Sequence, residues 1–145
     1  MIEITKHVEL DAGHRVPDHT SKCRSPHGHR YKVEAAVVGP VLEAGPETGM
    51  VLDYGHLKAL LVEHVHDPWD HAFLVHAGDN LMRAALVPEW KVAVLDLVPT
   101  AENLALLAAE ALAPAVARWH PGLRLVRLTV WETPTCSASW REDGA

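Results

Sequence analysis

The sequence predicts an α+β fold, an antiparallel sheet with helices on one face. Three observations predict it. Apolar and polar residues alternate in two segments near the N-terminus and in another near the C-terminus, the period of a half-buried strand. Two segments between them carry apolar residues at helical spacing. The resulting order is strand pair, helix, short strand, helix, strand pair, and sequential strands of this kind form hairpins.

The first strand places Ile2, Ile4, Val8, Leu10 and Ala12 on its even face, with Lys6 the polar exception, and that face ends at His14. The second, from His27 to Val38, puts Tyr31, Val33, Ala35 and Val37 on one face together with His27 and His29. Residues 15–26 join the two. This connection is long for a hairpin, and over-long loops at strand ends often carry function. Residues 39–49 hold three Gly and two Pro and read as a loop. A helix starts near Asp53, a good N-cap, shows Leu57, Leu60, Leu61 and Val65 on one face, and stops at Pro68. Residues 75–89 are poorly patterned, and Lys91 to Leu97 reads as a short strand. A second helix opens after Pro99 with Thr100 as N-cap and Leu104, Leu107, Ala108, Ala111 and Leu112 as its apolar face. It ends by Pro121-Gly122. Leu123 to Thr133 alternates, with Val126, Leu128, Val130 and Glu132 on one face, and Cys136 to Arg141 is a final short strand.

The 145 residues carry no internal repeat and no linker long enough to divide them, so a single domain spanning residues 1–145 is expected. Hydrophobic residues make up 48% and charged residues 22%, which excludes a largely disordered chain. No apolar run approaches the roughly 20 residues that cross a bilayer. The N-terminus shows no basic region followed by an apolar stretch, so a cytoplasmic protein is expected. Thirteen Lys and Arg against 19 Asp and Glu give a net charge of -6, which argues against a nucleic-acid surface. A local basic pocket for a phosphorylated small molecule is still compatible with that charge. Cys23 and Cys136, the only two cysteines, make no disulfide framework.

The chain has 11 histidines, and their placement matters more than their number. His27 and His29 share one side of a strand, about 7 Å apart along it. Alone, such a pair is as well explained by a strand edge in solvent. His14 changes this, because antiparallel pairing of the first two strands brings it beside them on the same face. Three neutral imidazoles with one position open is the layout of a catalytic zinc site. Cys23 lies over the same strand end and is open to three readings: a general base whose thiolate a nearby cation favours, a fourth metal ligand, or a small half-buried residue. Asp70 can orient the imidazole of His71, although adjacent side chains rarely bond directly and a solvated turn explains the dipeptide as well. Glu132 ends an apolar face, where a carboxylate either grips an N–H/NH2 edge with two hydrogen bonds or has reached the rim and meets water. The other histidines, 7, 19, 56, 64, 66, 76 and 120, read as surface residues, and the five Trp as core or interface.

Six motifs then resemble a known family: Ala12-Gly13-His14-Arg15, Cys23-Arg24-Ser25-Pro26-His27-Gly28-His29, Thr48-Gly49-Met50-Val51-Leu52-Asp53, Asp70-His71-Ala72-Phe73-Leu74, Pro99-Thr100-Ala101-Glu102-Asn103 and Trp131-Glu132-Thr133. In this order, and spanning nearly the whole chain, they resemble the 6-pyruvoyltetrahydropterin synthase superfamily. The similarity is greatest to its 6-carboxytetrahydropterin synthase branch, which serves queuosine biosynthesis. The short gap between Cys23 and His27 is that branch's spacing, and the cysteine speaks against a folate-linked branch that uses Glu there. The resemblance implies the tunnelling fold, with trimers closing a β-barrel and stacking as a homohexamer. It implies Zn2+ on His14, His27 and His29, Cys23 as the proton-abstracting base, and Asp70 and His71 as a proton relay. It implies Glu132 as pterin anchor and part of the relay, with Thr100 and Glu102 lining the pterin pocket.

The implied reaction converts 7,8-dihydroneopterin triphosphate to 6-carboxy-5,6,7,8-tetrahydropterin, acetaldehyde and triphosphate. The alternatives are a 6-pyruvoyltetrahydropterin synthase, which keeps the side chain, and a pterin- or metal-binding protein without turnover. Two departures stand out. Val75 replaces a common Asn after the Asp-His motif, which puts the relay's hydrogen bonding in question, and residues 76–97 are longer than in the shortest members.

Overall fold

The computed structural model describes residues 1–144. Its strands are β1 (Ile2–His14), β2 (His27–Gly39), β3 (Phe73–His76), β4 (Val92–Leu95), β5 (Arg124–Thr133) and β6 (Cys136–Arg141). Its α-helices are α1 (Tyr54–Leu61), α2 (Asp67–Trp69), α3 (Asn80–Ala85) and α4 (Ala101–Trp119). A π-helical turn, Val62–His66, joins α1 to α2. The strands form one sheet in the order β4-β3-β1-β2-β5-β6.

The four strands anticipated as hairpin pairs are antiparallel. β1 and β2 run in unbroken register from Ile2 opposite Gly39 to His14 opposite His27, and β5 pairs with β2 and β6 antiparallel. The sheet as a whole is mixed, because β3 joins β1 in parallel and β4 joins β3 in parallel. The end of β3 and all of α3 fall in the unpatterned stretch 75–89. Phe73-Leu74-Val75 is a continuous apolar run with Leu74 and Val75 both buried, as in a parallel strand covered on both sides, so no alternation marks it. β4 is the short strand expected between 91 and 97.

Helix starts follow side-chain chemistry. Asp53 accepts from the Gly55 amide (2.6 Å) ahead of α1, and Thr100 accepts from the Asn103 amide (3.3 Å) ahead of α4. Asp79 accepts from the Met82 amide (3.2 Å) at the start of α3, a cap not anticipated from the sequence. α4 continues through Pro114 to Trp119.

The helices lie on one face of the sheet. Val8, Leu10 and Ala12 of β1, Tyr31, Val33, Ala35 and Val37 of β2, and Leu128 and Val130 of β5 pack against Leu57, Leu61, Leu104, Leu112 and Val116. Leu125, not Val126, is the core residue at the start of β5. A bulge opposite Ala36 and Val37 inserts one residue there and reverses the strand's phase. The opposite face is charged: Arg30 pairs with Glu9 and Asp11, and Arg127 with Glu3 and Glu34. Leu128 is fully buried at the centre of this packing. Leu128→Ala is expected to lower stability by about 3–5 kcal/mol in denaturant unfolding, from lost transfer energy and the residual cavity. A loss well under that would mean the core collapses onto the gap. No helix among the described residues is long and apolar enough to cross a membrane.

Candidate active site

β1 and β2 position the histidines. In the antiparallel register Ala12 faces His29 and His14 faces His27, so the three imidazoles meet at one sheet end on the helix side. Ring centroids of His14 lie 4.6 Å from His27 and 5.0 Å from His29, and those of His27 and His29 are 4.9 Å apart. Between the two β2 histidines, Gly28 is exposed to a close approach: a Cβ there would stand 3.1 Å from the Ala12 carbonyl oxygen. Behind them, the buried ring of Tyr31 packs edge-on against His14 (5.9 Å) and His29 (5.4 Å).

The hydrogen bonds fit these residues to a cation. His14 Nδ1 donates to the Pro99 carbonyl (2.7 Å), and His27 Nδ1 donates to the Ser25 carbonyl (2.7 Å). A carbonyl only accepts, so in each neutral ring the proton sits on Nδ1 and Nε2 carries a lone pair. The two Nε2 atoms are 3.1 Å apart. Facing lone pairs at that distance repel unless a positive centre lies between them. His29 Nε2 is buried with no hydrogen-bond partner. One nitrogen from each ring lies within 4.8 Å of the others, a group able to hold a metal ion. Carbonyl bonds from the remote nitrogens are the usual way of orienting imidazole ligands.

Burial pushes the His14 imidazole below its ordinary value of 6.5, only partly offset by the Pro99 bond and the Glu132 charge, and burial does the same to His29. Both rings therefore favour the neutral, ligating form more than a free imidazole does. In the unfolded chain they titrate near 6.5, so between that value and the lower folded ones the unfolded state binds more protons, and stability falls as pH falls. The metal-free protein is expected to lose melting temperature steadily as the buffer is taken from pH 7.5 to 5. A profile that rises with acidification would contradict neutral burial of these rings.

The cluster opens into a cavity of about 690 Å3 that also holds Cys23, Thr100, Glu102 and Glu132. Seven of the nine residues singled out from the sequence thus share one space. Cys23 is half-buried and free, carried over the site by a single 3-10 turn, Lys22–Arg24. It does not join the three-histidine group, so the metal-ligand reading of this thiol finds no support in the geometry. Glu132 is the extra residue of a second bulge, where Trp131 faces Ser137 and Thr133 faces Cys136. Its carboxylate stands 3.6 Å from His14 Nε2 with a quarter of its side-chain surface exposed. It therefore looks into the cavity and has not simply reached solvent. The cap residue Thr100 and the exposed Glu102 enter the wall at the start of α4.

Asp70 and His71 lie elsewhere. They dock on the outer edge of β1, where the Asp11 amide donates to Asp70 Oδ1 (3.0 Å) and the His71 amide donates to the Asp11 carbonyl (2.7 Å). Contrary to the expectation for adjacent side chains, His71 Nδ1 bonds Asp70 directly (2.8 Å). The reason is the backbone: His71 takes a left-handed conformation, φ 57°, which swings its ring back over Asp70. The Asp11 amide, and after it the His71 ring, hold the Asp70 carboxyl below the usual carboxylate range. His71 is 77% exposed and lines a different cleft, of about 940 Å3, with Gly13, Gly28, Phe73 and Trp90. Val75 is buried in β3, and none of the bonds of Asp70 and His71 involves it. The Asn-to-Val departure therefore leaves the pair intact.

Some participants escaped the sequence reading. Cys136 lines the cavity, its thiol drawn down by the hydroxyls of Thr133 and then Thr135. The hairpin register opposite Thr133 was the one signal for it. His19 and Lys22 also line the cavity mouth. Among the other histidines, His56 bonds Glu47 (2.9 Å) and His120 Nε2 meets the Val51 carbonyl (2.9 Å), so these two help hold loops together.

Comparison with known proteins agrees with this site. A family model described as 6-pyruvoyl tetrahydropterin synthase matches residues 3–143. A Rickettsia bellii protein named 6-carboxy-5,6,7,8-tetrahydropterin synthase is 34% identical over 138 residues, 94% of this chain and 97% of that protein. A Haemophilus influenzae protein of the same name is 28% identical over 146 residues, 98% of this chain and all of that protein. Among solved structures, an uncharacterized protein from Wolinella succinogenes superposes with a TM-score of 0.78 at 22% identity, covering 98% of both chains. The Caenorhabditis elegans 6-pyruvoyl tetrahydropterin synthase superposes at 0.66 and 21% identity, covering 98% of this chain and 96% of that one. Its sheet, its histidine cluster and its match over nearly all its length agree: the chain belongs to the 6-pyruvoyl tetrahydropterin synthase family.

Proposed function

We propose that the chain is a zinc-dependent carbon–carbon lyase. It takes 7,8-dihydroneopterin triphosphate and water to 6-carboxy-5,6,7,8-tetrahydropterin, acetaldehyde and triphosphate, a step of queuosine or related deazapurine biosynthesis. The observation that carries this reading is the single cavity in which a metal-fitted histidine triad, a free thiol and a carboxylate converge. The names of its full-length relatives support the carboxy product over the pyruvoyl one.

His14, His27 and His29 would hold zinc through their Nε2 atoms. Bound there, zinc supplies Lewis-acid polarisation of the substrate's side-chain hydroxyls. Glu132 accepts two hydrogen bonds from the N–H and NH2 of the pterin's amino-pyrimidine edge, which aims the side chain at the histidines. Thr100 and Glu102 bound that end of the cavity. Cys23, as thiolate, removes a proton from the side chain as general base. His71, oriented by Asp70, exchanges the next proton through the ring nitrogen that Asp70 does not occupy.

Within one chain that relay faces a different cleft from Cys23. The reading therefore requires neighbouring copies, with Asp70 and His71 of one subunit completing the cavity of another. A cytoplasmic homohexamer, two stacked trimers each closing its sheets into a barrel, supplies such neighbours. It also removes the free edges that β4 and β6 leave in one chain.

The test is mass spectrometry of the products after zinc-loaded protein meets 7,8-dihydroneopterin triphosphate. 6-Carboxytetrahydropterin with acetaldehyde is expected. A 6-pyruvoyl product would reassign the chain to the synthase that keeps the side chain. Zinc bound without product would reduce it to a binding protein.

A further inference from the structure

The connection that carries Cys23 is mostly exposed. Its own bonds are short in range: the His19 amide donates to the Val16 carbonyl (3.4 Å), the Ser21 amide to His19 Nδ1 (3.1 Å), the Arg24 amide to the Ser21 carbonyl (3.3 Å) and the Ser25 amide to the Lys22 carbonyl (3.0 Å), while His27 Nδ1 donates to the Ser25 carbonyl (2.7 Å). Asp18, in the same loop, sits at φ 63°. Two bonds tie the carbonyls of Cys23 and Arg24 to the two residues that follow β1. The Val16 amide donates to the Cys23 carbonyl (2.8 Å), and an Arg15 guanidinium nitrogen donates to the Arg24 carbonyl (3.3 Å).

Arg15 is itself clamped. Its other two nitrogens donate side by side to Asp79, Nε to Oδ2 (2.7 Å) and the second terminal nitrogen to Oδ1 (2.6 Å). The Asp79 side chain is 2% exposed and that of Arg15 is 15%. Asp79 cannot swing, because its amide donates to His76 (2.9 Å) and its Oδ1 accepts from Met82 at the start of α3. A rigid path therefore runs from the β3–α3 turn through Asp79 and Arg15 to the backbone beside Cys23. Arg15 directly follows His14, whose ring is locked to Pro99. Arg15 thus links the backbone beside Cys23 to the residue that carries one of the imidazoles.

We infer that the Arg15–Asp79 pair is a latch for the Cys23 loop, and that both are positioning residues for the reaction. The kinetic half of this inference rests on the role proposed above for Cys23; the loop half does not. A pair serving stability alone has no use for the third contact to Arg24. Only a planar fork reaches a carboxylate with two nitrogens and a carbonyl with another; an ammonium at the same place is a point charge.

Arg15→Lys and Asp79→Asn test it, with Asp79→Glu as the conservative rescue. Asn keeps an oxygen for the Met82 cap but loses the charge. Three readouts are needed: zinc content, the alkylation rate of the Cys23 peptide with iodoacetamide followed by mass spectrometry, and steady-state turnover. Both variants are expected to keep their zinc and to alkylate Cys23 about tenfold faster, as a loop released from its anchor does. Turnover kcat is expected to fall about 10–100-fold with KM within about threefold, the cost of a misplaced reacting group. Asp79→Glu should move alkylation back toward the parent rate. Alkylation within about twofold of the parent in both variants would overturn the latch, and so would loss of zinc and fold together. Faster alkylation with unchanged kcat would overturn the positioning role. If alkylation responds while Cys23→Ala keeps full turnover, the latch stands and the assignment of Cys23 as base falls.

Discussion

Mixing Cys23→Ala with His71→Ala subunits is expected to restore activity that neither variant has alone. On the proposed mechanism each substitution removes one proton-transfer group, and losing a positioned general base or acid costs about 10²–10⁴-fold. In one chain Cys23 opens into the histidine cavity while His71 lines the cleft floored by Gly13 and Gly28. If the working site takes its thiol from one subunit and its imidazole from the next, mixed oligomers contain some sites with both groups intact. Random assembly of equal amounts leaves about one site in four complete, so co-expressed variants should recover up to about a quarter of parental turnover. If both groups served the same site from the same chain, every site would lack one of them and the mixture would stay inactive. That result would sink the shared-site reading and leave the histidine cavity to stand by itself. Neither substitution should disturb the fold, because Cys23 is half-buried in a loop and His71 is 77% exposed.

His27→Ala is expected to strip the protein of zinc. One ring nitrogen from each histidine converges, and only these three residues form the group, so removing His27 leaves two imidazoles where three are needed to hold the ion. Losing an outer partner of a ligand costs about 10–100-fold in metal affinity or activity, so losing a ligand itself should cost at least about 100-fold in turnover. Elemental analysis after dialysis is the direct check. Unchanged zinc content would refute the assigned centre. The metal-free variant should melt no lower than metal-free parent, because the substitution removes one of two lone pairs that face each other at 3.1 Å. Lower melting of the metal-free variant would mean that His27 contributes packing that outweighs this repulsion.

Much of the site is legible in the sequence. Period-two alternation in β1 and β2 put His14, His27 and His29 on one face, and antiparallel pairing of the two strands was enough to bring them together. The N-cap roles of Asp53 and Thr100 followed from local side-chain chemistry, which depends on residues only two or three positions apart. Where alternation failed, so did the reading. β3 is a short apolar run buried on both sides and carries no period, and α3 in the same stretch was missed with it. The bulge opposite Ala36 and Val37 exchanged Val126 for Leu125 in the core, because one inserted residue reverses every side chain beyond it.

What the sequence by itself determined is the antiparallel hairpin frame, the starts of α1 and α4, the meeting of His14, His27 and His29 on one face, and the resemblance to the family. These rest on periodicity, on capping and on ordered motifs, all of which are local along the chain. Only the tertiary structure decided that the sheet is extended by parallel strands and that Glu132 turns into the cavity on a bulge. It also decided that His71 bonds its own neighbour through a left-handed backbone, that Asp79 reaches Arg15 across 64 residues, and that His71 lines a different cleft from Cys23 in a single chain. Each of these depends on which distant segments touch. Pairing register, backbone sign and buried charge partners are settled by the free energy of the whole packed chain, and no local pattern records them.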